Sequence, residues 1–156
     1  MLDGDMRALV SRTMLCFAAT VNGDGTPNLS PKSSLRVHDD NHLIFANMAS
    51  PGTVDNLRHT PAIELNCVDI FSRRGYRFTG RAAIYSGDDP IYLNLKHDVA
   101  AEHGDAIPVH DAVLVEVTDV KPAISPAYTF IEGVTEEVLR TAYLAKYGVQ
   151  PAVEAG

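Results

Sequence analysis

A small antiparallel β-barrel with peripheral helices is the fold class that the sequence predicts, and three observations predict it. About six strand-like segments follow one another in hairpin order, separated by turns of glycine, asparagine and aspartate. Helical spacing appears only at the start, at the corners and near the end of the chain. Finally, 156 residues, 46% of them apolar, suffice to close one core, and no linker, repeat or low-complexity stretch divides residues 1–156 into more than one domain.

Taken in order, Asp5 to Arg12 places Met6, Leu9 and Val10 at helical spacing, which predicts an opening helix with an apolar stripe. Met14 to Val21 is a strongly apolar strand, and Asn22-Gly23-Asp24-Gly25 is a hairpin turn because these residues accept positive φ. Thr26 to Val37 is the predicted return strand. After the turn at Asp39-Asp40-Asn41, His42 to Ala46 makes the third strand of a meander. Ser50 is a suitable N-cap and Pro51 a suitable first residue for a helix that Pro61 ends, since the residue before a proline avoids the helical region.

Ala62 to Val68 alternates apolar and polar, as a strand with one buried face does. Tyr76 to Tyr85 is a further strand whose Gly80 marks a bulge or a close backbone approach. Asp88 to Glu102 predicts a helix entered through Pro90, and Ala112 to Val120 predicts the last strand. Lys121 to Tyr128, with two prolines, is expected to be irregular or an edge segment. Thr135 to Tyr147 predicts a closing helix with acidic residues in its first turn and Gly148 at its C-cap, followed by a loose end at Ala152 to Gly156.

Composition excludes several function classes. With 13 basic and 20 acidic residues the net charge is -7, which disfavours nucleic acid or an anionic membrane as a partner, although a local cation can still bind a small anion. No segment is long and apolar enough for a membrane span, and the N-terminal residues lack a signal-peptide pattern, so a cytoplasmic location is expected. Cys16 and Cys67 sit among apolar neighbours and predict buried, reduced thiols. The six histidines show no metal-ligand spacing, and no nucleophile, P-loop or dinucleotide motif is present.

Two stretches carry chemistry. At Ser50-Pro51-Gly52-Thr53 an apolar strand turns into a helix, so free N–H groups and the Thr53 hydroxyl are expected at an anion site, unless the corner is an ordinary one. The return strand holds Asn28, Ser30, Pro31, Lys32, Ser33 and Ser34, polar groups that need partners inside an apolar meander. The meander places Lys32 beside that corner; the alternative is a solvated lysine on an edge strand.

The ordered series Ala19-Thr20-Val21, Gly23 to Asn28, Ser30-Pro31-Lys32, Leu35-Arg36-Val37, Phe45-Ala46, Ser50 to Thr53, Asn56-Leu57-Arg58 and Pro61 resembles the pyridoxamine 5'-phosphate oxidase-like proteins, the FMN-binding split-barrel superfamily. The resemblance implies a split β-barrel that dimerises, with FMN held in clefts between protomers. It implies that Ser30, Pro31 and Lys32 line the phosphate and ribityl side of the flavin. Ser50, Pro51, Gly52 and Thr53 would meet the phosphate, and Asn56 would brace the loop or reach the ligand. Where the family's oxidases carry an Arg-Lys pair, this chain has Pro51 and Gly52, which removes two phosphate-binding cations and argues against vitamin B6 oxidase activity. Arg73 and Arg74 are further cations that could reach across a dimer, and Phe71 or Tyr128 could flank the flavin ring. The expected function is FMN-dependent oxidation or reduction of a small molecule. The alternatives are a carrier of FMN or F420 without turnover, and a dimer that has lost its cofactor.

Overall fold

The computed structural model describes residues 1–150, so the loose end expected at Ala152 to Gly156 lies outside the described residues. The elements in chain order are α1 (Gly4–Arg12), β1 (Cys16–Val21), β2 (Pro27–Lys32), β3 (Arg36–Val37), β4 (His42–Asn47), α2 (Pro51–His59), β5 (Ala62–Asp69), β6 (Arg74–Tyr85), α3 (Pro90–His103), β7 (Asp111–Ile124), α4 (Ala127–Phe130) and α5 (Glu136–Tyr147). All strand pairs are antiparallel and form one sheet in the order β2-β1-β5-β6-β7-β4-β3. There are seven strands rather than six because the predicted return strand breaks in two.

That break closes the sheet. β2 and β3 are its opposite edges, yet only Ser33, Ser34 and Leu35 lie between them in sequence. Four Cα steps reach at most about 15 Å, whereas seven strands laid flat would put their edges about 29 Å apart. The sheet therefore curls into a split barrel. The predicted meander is corrected here: β4 pairs with β3 and β7 and not with β2, so Lys32 meets the β4–α2 corner across the split instead of along a ladder. Ser34 substitutes for a missing ladder bond, its Oγ accepting from the Ala46 N–H at 3.0 Å.

β4 explains the uninterrupted apolar run Leu43 to Ala46, because both of its faces are covered. Leu43 and Phe45 enter the barrel core with Leu65, Phe78, Val113 and Val115, while Ile44 and Ala46 pack under Tyr92, Leu95 and Val99 of α3. Cys16 and Cys67 are buried free thiols directly opposite one another on β1 and β5. The bulge expected at Gly80 is present as a register shift between Thr79 and Gly80. β7 continues through Pro122 to Ile124 as an edge segment; β4 stops opposite Glu116, and a proline without an N–H is tolerated where one side of the strand is open.

Candidate functional site

The split brings the end of β2 against the start of α2. Ser30, Lys32, Ser33, Ser34 and Ser50 line a cavity of about 230 Å³ whose wall includes Ala46 and Met48. Pro31 lines it as well. Lys32 is only 4% exposed. Its Nζ donates to Ser30 Oγ at 2.6 Å, to Ser50 Oγ at 2.9 Å and to the Pro31 carbonyl at 3.3 Å, and lies 5.4 Å from the centre of the Phe45 ring. Among the described residues no carboxylate pairs with it. An ammonium held only by neutral oxygens is poorly compensated, and burial lowers its pKa from 10.5 to about 8.

Ser50 occupies the N-cap position of α2 without capping it: its side chain makes no bond to the first helical N–H groups. Its hydroxyl is committed to Lys32 and, at 3.3 Å, to Asn47 Oδ1. Pro51 has no N–H, and the N–H groups of Thr53 and Val54 both turn back to the Ser50 carbonyl. The donor at the helix start is therefore the Gly52 N–H, fewer donors than the sequence led one to expect.

The predicted site residues separate into two groups. Ser30, Pro31, Lys32 and Ser50 line one cavity, whereas Pro51 faces a second one of about 340 Å³ that also includes Arg58, His110 and Asp111. The Thr53 hydroxyl is turned inward, 2% exposed, and accepts from Asn28 Nδ2 at 3.4 Å. Asn56 braces the first hairpin, donating to Thr20 Oγ1 at 3.1 Å and Asn22 Oδ1 at 2.9 Å. Arg74 is taken up by Asp5 and Glu136, and Arg73 stacks 4.8 Å over the Tyr143 ring. Phe71 packs edge-on against Tyr147, and Tyr128 donates to the Ser72 carbonyl, so neither aromatic lines the Lys32 cavity. Asn47, the last residue of β4, joins the site through Ser50, and its signal in the sequence is an asparagine that ends a buried strand three residues before a serine.

A single buried ammonium amid hydroxyls can bind a small anion and little else of high charge. The sequence model described as pyridoxamine 5'-phosphate oxidase matches residues 2–142. HupZ of Group A Streptococcus is 28% identical over 80% of this chain and 96% of its own, with a TM-score of 0.71. Two further structures share the fold. An FMN-binding protein of Syntrophomonas wolfei is 15% identical, covering 77% of this chain and 84% of its own at a TM-score of 0.69. HutZ, a heme storage protein of Vibrio cholerae, is 13% identical over 77% and 93% at a TM-score of 0.61. No curated protein is significantly similar. With the split sheet, the ordered motifs and a family match over nearly the whole described chain, this protein belongs to the pyridoxamine 5'-phosphate oxidase family.

Proposed function

We propose that the chain is a homodimeric flavoprotein that binds FMN at the protomer interface and oxidises or reduces a small molecule. The observation that carries the reading is Lys32, a buried ammonium with three neutral oxygen partners and no carboxylate among the described residues. A phosphate supplies the missing counter-charge. Ser30, Lys32 and Ser50 would hold it together with the Gly52 N–H, and the small cavity suits a phosphate and part of a ribityl chain. At about 230 Å³ it lies below the usual range for sites that enclose a whole ligand, so the flavin ring needs a second wall.

A second copy offers that wall. The outward face of β1 and β2 pairs Phe17 with Pro31, Ala19 with Leu29 and Val21 with Pro27, an apolar patch on which Leu29 is 66% exposed. Pro31 belongs to both the patch and the cavity. Bound flavin supplies the hydride or electron chemistry, and the chain's own residues neutralise its phosphate, orient it and exclude water. The missing Arg-Lys pair at Pro51 and Gly52 argues against a vitamin B6 oxidase.

FMN added to the purified protein should lose fluorescence in a saturable titration, with F420 as the competitor. Lys32→Ala should weaken FMN by about 10- to 100-fold, the scale of one charge-assisted hydrogen bond. Wild-type protein that does not bind FMN refutes the reading. NADH or NADPH then separates enzyme from carrier, because bleaching followed by reoxidation with an acceptor marks turnover.

A further inference from the structure

Ser50 accepts a hydrogen bond from Lys32 only if its own proton points elsewhere. That proton goes to Asn47 Oδ1 at 3.3 Å, and the Ser50 backbone N–H reaches the same oxygen at 3.2 Å. An asparagine amide can be turned either way, and the reverse orientation would put an NH₂ group against Ser50. Asp111 selects between the two. Its Oδ2 accepts from Asn47 Nδ2 at 2.7 Å, and a carboxylate can face only the donor end of the amide. Asp111 is itself buried and held from its other oxygen by Arg58 at 3.5 Å.

We propose that Asn47 and Asp111 are positioning residues of the Lys32 site: Asp111 locks the Asn47 amide, and Asn47 aims the Ser50 hydroxyl so that its lone pair meets the ammonium. Neither residue lines the Lys32 cavity; both line the neighbouring one, so they act through Ser50. The groups facing Nζ are the hydroxyls of Ser30 and Ser50, the Pro31 carbonyl and the Phe45 ring, and the charges beyond Asn47 are Asp111 and Arg58. The relay makes the donor geometry ready before an anion arrives, which lowers the ordering required on binding. Its role in ligand binding rests on the phosphate reading above, but its effect on Lys32 does not.

The test is a double-mutant cycle with two readouts. Four lysines occur in the sequence, so ¹³C-labelling at lysine and a Lys32→Met control assign the Lys32 signal for an NMR titration in the absence of ligand. Asn47→Ala should lower the Lys32 pKa by about half a unit or more and weaken FMN about fivefold, because the acceptor hydroxyl is no longer aimed. In a Ser50→Ala background the same substitution should add almost nothing. Asp111→Ala should behave as Asn47→Ala. Additive effects of Asn47→Ala and Ser50→Ala, or an unmoved Lys32 pKa in folded Asn47→Ala, overturn the proposal. Should Asn47→Ala not fold, the cycle of Asp111→Ala with Ser50→Ala replaces it, with non-additive effects expected and additive ones overturning the relay. An intact pKa pattern in protein that does not bind FMN refutes the flavin reading and leaves the relay standing.

Discussion

Burial of the Lys32 ammonium with no carboxylate partner among the described residues opposes folding of the ligand-free protein. A lysine whose folded pKa lies near 8 against 10.5 when free binds fewer protons folded than unfolded between those values, so stability rises as pH passes from 8 toward 10.5. Lys32→Met should therefore raise the melting temperature of ligand-free protein at pH 7, by a stability gain of about 1 to 3 kcal/mol, and the gain should shrink as the pH approaches 10.5. Calorimetry over a pH series checks both the sign and the window. The same charge sets a ligand profile. FMN should bind most tightly above its phosphate pKa of about 6 and weaken as the free lysine deprotonates above about 8. The neighbouring corner supports a complementary experiment. A Cβ on Gly52 would meet open space and Pro51 is exposed, so Pro51→Arg with Gly52→Lys should fold and tighten FMN about tenfold or more in a titration.

At the scale of elements, periodicity was informative wherever one face is buried. The N-cap at Asp3, the cap at Asp89 with Pro90 behind it, and the left-handed Gly148 after α5 all follow from local residue chemistry. The return strand was not legible because Ser33-Ser34-Leu35 has no turn signature; a three-residue crossing between sheet edges makes sense only once both edges exist. Thr53 illustrates the same limit, since its place on the inward face of α2 beside Val54 and Leu57 commits its hydroxyl to Asn28. Close approach is testable at Gly75, where a Cβ would lie 1.9 Å from the Cys67 carbonyl oxygen. Gly75→Ala should cost about 2 kcal/mol or more in denaturant unfolding, because backbone on the facing strand cannot move aside. α5 differs from α1, α2 and α3 in its attachment. Leu139 is its one buried residue among those described, and Arg140–Asp69 and Arg74–Glu136 hold it, so raising the salt should speed amide exchange in α5 before the sheet.

For the whole molecule, the proposed homodimer would make assembly part of the site, because the apolar outer patch adjoins a cavity too small for a complete flavin. Leu29→Asp should convert the proposed dimer to monomer in sedimentation and weaken FMN, while leaving the Lys32 pKa unchanged; monomeric wild-type protein contradicts the interface. The sequence by itself determined the fold class, the extents of α1, α2, α3 and α5 to within about two residues, and the family, and it marked Gly80 as a bulge or close approach, whereas α4 begins where an irregular or edge segment was expected. It also pointed to both chemical stretches, Ser30 to Lys32 and Ser50 to Thr53. Only the tertiary structure decided which members of those stretches meet. Closure of the sheet by Ser33 to Leu35 sets Lys32 against Ser50, turns the Thr53 hydroxyl to Asn28 and the Asn56 amide to Thr20, and brings Asn47 to Asp111. The physical reason is that burial and hydrogen-bond partnership depend on strands far apart in sequence, which local periodicity does not encode.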